Sequence, residues 1–272
     1  MNSIKLAAAC LSATLPFYAA AEAAAVRFDI VPPTASTLSA NDDLSTGAVD
    51  IGFTVNFFGS VNTQLFVNNN GNVTFDQSLS QFTPDDLTST STNIIAPFFA
   101  DVDTRGTGTV TYGQTTLDGR AAFVVTWDEV GYFSQATDRL NTFQLVLIDR
   151  SDTGAGNFDI EFNYDQIQFE TGDASDGQGG LGGDSARVGY SNGTGDAGTF
   201  FELAGSAQNG AFLDGSDSGL ALIENMLNSG VAGRYVFEAR NGVVSAAVPV
   251  PGAIVFLATG LVGAAAARRR KA

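Results

Sequence analysis

The sequence contains no histidine, and its single cysteine, Cys10, lies near the N-terminus. Without imidazole there is no Ser-His-Asp triad, no His-ligated zinc and no haem held by an axial histidine. Positive charge is scarce too: 13 basic residues face 29 acidic ones, for a formal net charge of −16. A nucleic-acid binder needs a basic footprint against phosphate, so that class of partner is excluded. Tryptophan occurs once and methionine twice, whereas phenylalanine occurs 21 times and glycine 31 times among 272 residues. The chain is turn-rich and aromatic, with only 15% charged residues.

Both ends read as processing segments. Lys5 precedes an apolar run, Leu6 to Ala21, and small residues continue to Ala25, as in a secretory signal peptide over residues 1–25. Cys10 sits too early in that run for a lipoprotein cleavage point, and removal of the signal leaves a chain without disulfides. At the other end, Val248-Pro249-Val250-Pro251 precedes the apolar run Gly252 to Ala267, and Arg268-Arg269-Arg270-Lys271 follows. A helix of that run would span roughly 24 Å, against about 30 Å for a bilayer core. That is short but workable with snorkelling arginines, and the basic cluster would act as a cytoplasmic stop-transfer. Residues 248–272 are therefore expected to form a hydrophobic transmembrane helix with a basic tail.

Residues 26–247 remain as one domain. They hold eight arginines, no lysine and 28 acids, a net charge of −20. Period-two alternation runs through this region, the pattern of half-buried strands. Phe53, Val55 and Phe57 alternate with Thr54 and Asn56; Phe158, Ile160, Phe162 and Tyr164 alternate with Asp159, Glu161 and Asn163. The natural partner of the second run is Thr142 to Ile148. Asn70-Gly71 and Asp118-Gly119 each predict a hairpin through a type I′ turn. Ile94 to Ala100 is continuously apolar, as in a strand buried on both faces, with Pro97 marking an edge or bulge. Gly219 to Asn228 is the one helix candidate. Gly172 to Gly198 reads as a long loop or insertion, with ten glycines and four aspartates. The expected fold class is all-β, an antiparallel β-sandwich of roughly ten strands.

Two runs are specific enough to carry a family resemblance. One is Ile95-Ala96-Pro97-Phe98-Phe99-Ala100-Asp101-Val102-Asp103-Thr104-Arg105, and the other is Val125-Thr126-Trp127-Asp128-Glu129-Val130-Gly131-Tyr132. Gly108 to Tyr112, Asn141 to Leu147, Ile167 to Gly172 and Val188 to Gly193 extend the match, which covers about Phe53 to Glu238. These residues resemble the NIDO domain, the nidogen-like extracellular domain. Phe99 and Phe169 stand near positions where members carry tryptophan. The resemblance implies a non-enzymatic extracellular module of matrix and adhesion proteins. The C-terminal segment is similar to PEP-CTERM sorting tails of the VPLPA-like variant, with Val250 in place of the glutamate of the founding motif. That similarity implies a Gram-negative, exopolysaccharide-producing host. It further implies transient anchoring in the inner membrane and processing by an exosortase-type enzyme near Val248 to Pro251, leaving the protein at the cell surface or outside.

Candidate chemistry is sparse. Asp101 and Asp103 flank Val102, so an extended segment points both carboxylates to one side, and two hard oxygen ligands could begin a Ca²⁺ site. Thr104, carbonyls or Asp128 would complete it; alternatively, Arg105 neutralises the pair. Trp127, Tyr132 and Phe133 could form a sugar-stacking platform, or Trp127 could continue the inward face of Phe123 and Val125. Asp128-Glu129 is the carboxylate pair a glycosidase would need, but neighbouring strand residues point to opposite faces unless a bulge intervenes. Gly179 to Asp184 resembles one turn of a calcium-binding nonapeptide repeat, an architecture that requires stacked copies. Gly189-Tyr190-Ser191-Asn192-Gly193 matches G-x-S-x-G by composition alone, since no histidine exists to serve it. The leading reading is a surface protein for cell–matrix adhesion or extracellular matrix structure, with extracellular polysaccharide or a surface protein as partner. A calcium-assisted carbohydrate-binding module comes second and a carboxylate glycosidase a distant third.

Overall fold

The computed structural model describes residues 25–30 and 32–245. The cleavage region before Ala25 and the sorting tail from Val248 onward lie outside these residues. Among the described residues, no helix is long and apolar enough to cross a membrane.

Fourteen strands and one short 3₁₀ turn make up the described fold, all-β as expected. The strands are β1 (Ser36–Leu38), β2 (Val49–Phe57), β3 (Ser60–Asn68), β4 (Asn72–Thr74), β5 (Asn93–Phe99), β6 (Val102–Asp103) and β7 (Thr109–Leu117). They continue as β8 (Arg120–Tyr132), β9 (Ala136–Asp149), β10 (Phe158–Ile167), β11 (Arg187–Asn192), β12 (Phe200–Glu202), β13 (Arg234–Arg240) and β14 (Val243–Val244). One sheet runs β1-β7-β8-β9-β10-β13-β14, with β6 also paired to β8; the other runs β12-β11-β5-β4-β3-β2.

Local chemistry accounts for most of this path. Asp118 and Gly119 both take positive φ, 50° and 77°, and Leu117 pairs with Arg120, so the type I′ turn forms as expected. Phe58-Gly59 makes a second two-residue turn with positive φ at both positions, joining Phe57 to Ser60. Asn70-Gly71 behaves differently. Asn68 pairs with Asn72, so three residues form the corner, and of these only Gly71 has positive φ. The hairpin exists, but not as a type I′ turn. A Cβ on Gly71 would also fall on the Phe98 carbonyl oxygen, so this corner needs glycine for two reasons.

The alternating run Phe158 to Tyr164 pairs with β9 in register, Ile160 opposite Leu147 and Phe162 opposite Leu145. β5 is buried along its whole length, and its pairing with β11 shifts register between Ala96 and Phe99, a bulge that accommodates Pro97. The two sheets face each other through aromatic contacts: Phe98 on β5 with Phe143 on β9, Phe57 on β2 with Phe158 on β10, and Tyr190 on β11 with Phe237 on β13. Aromatic pairs of this kind add to simple area burial.

Two further expectations are corrected. Gly219 to Asn228 is not a helix but a series of turns. Asn225 donates to the carbonyls of Gly219 and Ala221, Asn228 is left-handed, and Leu227 bridges to Tyr235. Ten residues are too few for a helix to hold against such competing bonds. The glycine-rich stretch 172–198 is not simply an insertion, because β11 lies inside it as an interior strand of the second sheet. Its remaining turns are tied by Glu170, whose carboxylate accepts from the Gly182 and Gly210 N–H groups.

Candidate functional site

At one end of the sandwich, the loop between β1 and β2, the Asn69–Gly71 corner and the β5–β6 connection converge. Asn69 builds much of this end: its amide donates to the carbonyls of Asp42 and Val102, and its own carbonyl accepts from the Trp127 indole. Asn70 accepts the Val102 N–H and donates to the Asp43 carboxylate and to the Gln81 carbonyl. Asn68, Asn69, Asn70 and Asn72 are all buried. Buried amides require partners, and here they lace separate loops together.

This lacing brings Asp42, Asp43 and Asp101 together, with carboxylate oxygens within 4.8 Å of one another. Asp101 is only 1% exposed, and its Oδ2 has no hydrogen-bond partner; the buried Oδ1 of Asp42 has none either. Burial, then the charges of Asp42, Asp43 and Asp103, push the Asp101 carboxyl up to about 7. Burial, Asp103 and Asp43 push Asp42 up to about 6, against the opposing pull of Arg105. Three acids share this end, and Arg105 reaches only Asp42 among them, at 2.8 Å. All-oxygen donors of this kind suit a hard cation.

Asp103, the expected partner of Asp101, has a different role. Arg105 donates to it from Nε (2.9 Å), Nη2 (2.6 Å) and its backbone N–H, and Gln135 N–H adds a fourth bond. Burial alone would raise the Asp103 carboxyl, but these bonds hold it below the usual range. Its oxygens are therefore committed to arginine. Thr104 is similarly occupied, bonded to Asn41 and Asn69. The motif thus contributes one acid to the cluster, and the other two come from Asp42-Asp43 in a distant loop. A polar Asn41-Asp42-Asp43 run was the available signal, but nothing in the sequence says which strand end it meets.

Trp127 is fully buried, stacked on Phe143 at 5.0 Å between ring centroids, and its indole N–H is taken by Asn69. It offers no ring face to a sugar, which corrects the platform reading in favour of the inward face. Tyr132 is 3% exposed, packed on Phe169 and bonded through its hydroxyl to Asp138. Among the described residues, Phe28 is the one exposed aromatic side chain. The bulge that would let Asp128 and Glu129 act together does exist, since β8 shifts register between Trp127 and Val130 and Glu129 is left-handed. Glu129 is nevertheless exposed, while Asp128 lines a shallow pocket of about 170 Å³ beside Arg27, Thr126 and Gln144. Ser191 of the G-x-S-x-G match is buried inside β11, and its hydroxyl accepts the Gly193 N–H, so this is a strand and not an elbow. Within Gly179 to Asp184, Gly179 and Gly180 form a tight turn closed by Gln178 and Leu181, and the Asp184 N–H donates to the Ser175 carbonyl.

A two-sheet sandwich with loops gathered around acids at one end, and its aromatics turned inward, defines a β-module whose surface features lie on its loops. The chain belongs to the nidogen-like domain family, NIDO, whose model matches residues 63–119 and 113–241. It is 34% identical to mouse alpha-tectorin and 33% identical to human alpha-tectorin, over 72% of this chain and 10% of each tectorin. It is 30% identical to Drosophila melanogaster nidogen over 68% of this chain and 14% of that protein. The match thus spans about a tenth of the length of the tectorins. No solved structure matches the chain significantly.

Proposed function

We propose that this chain is a non-enzymatic module of the extracellular matrix or cell surface, serving cell–matrix adhesion or matrix structure. Family membership across residues 63–241 carries the reading, since the resemblance implies a module of matrix and adhesion proteins. The disposition of the polar residues supports it. The buried amides and most buried acids hold loops or pair with arginine, and Trp127 and Tyr132 belong to the core. The protein acts as a rigid body that presents loops and an acidic surface. At the proposed charge of −20 for residues 26–247, that surface repels anionic polymers unless divalent cations bridge them.

Export by the N-terminal signal, brief retention in the inner membrane by Gly252 to Ala267 and release near Val248 to Pro251 complete the proposal, with an exosortase-type enzyme as the processing partner. The test is co-sedimentation of the purified protein with extracellular polysaccharide from its host, with reducing sugar measured in parallel. Binding without sugar release is expected; turnover of the polymer would overturn the non-enzymatic reading. Replacing both Pro249 and Pro251 with alanine should trap an unprocessed form in the membrane fraction, and unchanged release would remove the sorting proposal.

A further inference from the structure

Carboxylates buried in this protein are generally satisfied. Asp103 receives four donated bonds, Glu161 lies against Arg27 and Arg234, and Asp159 lies against Arg150 and Arg240. Asp101 differs. Its Oδ2 is sealed from solvent without a donor, and one carboxylate oxygen from each of Asp42, Asp43 and Asp101 lies within 4.8 Å of the others. An unpartnered buried carboxylate is costly, and adjacent like charges raise that cost. Gly172 packs closely on this carboxylate, so that a Cβ there would collide with Asp101 Oδ2.

We propose that Asp42, Asp43 and Asp101 bind one calcium ion, and that the ion fastens the β1–β2 loop to the β5–β6 connection. The donor set fixes the class. It is all oxygen, with no histidine in the chain and no cysteine among the described residues, which disfavours zinc and copper. Three carboxylates drawn from two separate loops give an irregular arrangement, which calcium tolerates at six to eight ligands and magnesium, with its compact octahedron, does not. Asp42 and Asp43 are only partly buried, so water can complete the shell from their side. Asn70 is the positioning residue: its amide orients the Asp43 carboxylate and its carbonyl oxygen fixes the Val102 N–H one residue beyond Asp101. The site differs from the Asp101–Asp103 pair that the motif alone suggests, and it does not depend on the matrix role.

The test is calorimetric titration of the purified protein with calcium chloride near pH 7.5, together with thermal melts in EDTA and in calcium. One site with Kd of about 0.1–1 mM is expected, the range of extracellular calcium modules. At a hundredfold excess over Kd, Tm should rise by roughly 5–10 °C. Asp101→Asn should abolish both signals while melting no lower than the wild type in EDTA, because it removes a buried, repelled charge. Asp43→Asn, at a more exposed position, should fold normally and weaken binding at least about tenfold. Absence of heat and of any Tm rise in about 10 mM calcium would overturn the proposal. So would an Asp101→Asn protein that keeps the wild-type calcium response, since Asp101 would then be only a protonated core residue.

Discussion

Two groups of acids withdrawn wholly or partly from solvent sit in this sandwich, and the protein treats them differently. On the outer face of β10, Asp159 and Glu161 alternate with core aromatics and would ordinarily face solvent. Four arginines cover them instead: Arg150 and Arg240 at 2.6 and 2.5 Å from Asp159, Arg27 and Arg234 at 2.6 and 3.4 Å from Glu161. At the loop end, Asp42 alone among Asp42, Asp43 and Asp101 pairs with an arginine, Arg105, which is already committed to Asp103. Burial of a charge is tolerable when the partner is built in, as on β10. Where none is built in, the carboxyl range moves up toward neutrality, as at Asp101. The comparison separates acids that belong to the architecture from acids that await a cation.

Removing one side of a β10 pair should have the largest effect. Glu161→Ala leaves Arg27 and Arg234 facing each other with little solvent, and a loss of about 3–5 kcal/mol is expected in urea unfolding, with or without calcium. A loss below about 1 kcal/mol would place this network among weak surface pairs and erase the contrast. Next comes the corner that positions the acidic end. Gly71→Ala forces a side chain into positive φ and onto the Phe98 carbonyl, and should cost at least about 2 kcal/mol while weakening the calcium response.

Asp101→Asn carries the opposite sign. In EDTA at pH 7.5 it should stabilise the protein by about 1–2 kcal/mol, because the amide needs no desolvated charge. A destabilisation of that size would mean the acid is already satisfied. The last prediction is a slope with pH, which no single substitution carries. Asp101 near 7, and Asp42 and Asp214 near 6, lie above their unfolded values, so the stability they contribute is present at acid pH and lost as pH rises through 6 to 7. Carboxyls held low, such as Asp103 and Asp86, are already ionised there. Between pH 5 and 7.5, the unfolding free energy in EDTA should therefore fall with rising pH, by at most about 1.4 kcal/mol per unit for each group. Saturating calcium should remove the part due to Asp101 and Asp42 and leave the part due to Asp214.

The framework was legible because its signals are local. Asp118-Gly119 dictates its own turn, and the alternation Phe158 to Tyr164 dictates which side chains enter the core. The same alternation could not reveal that Asp159 and Glu161 would be covered, since Arg240 reaches Asp159, and Arg27 and Arg234 reach Glu161, from remote parts of the chain. Period gave the inward face as one of two readings of Trp127, and the platform alternative failed because the ring is fully buried against Phe143. The acidic site was half legible. The Asp-Val-Asp spacing marked Asp101, yet which acid is neutralised depends on Arg105 folding back on Asp103, and the other two acids arrive through buried asparagine side chains. Helix periodicity misled at Gly219 to Asn228 because short segments obey their side-chain caps before their pattern.

The most direct measurement is a crystal structure grown in millimolar calcium. The account predicts one ion bonded at about 2.3–2.6 Å by carboxylate oxygens of Asp42, Asp43 and Asp101, with Asp103 still held by Arg105. A structure in which Asp101 is unliganded, with calcium absent or bound elsewhere, would contradict it.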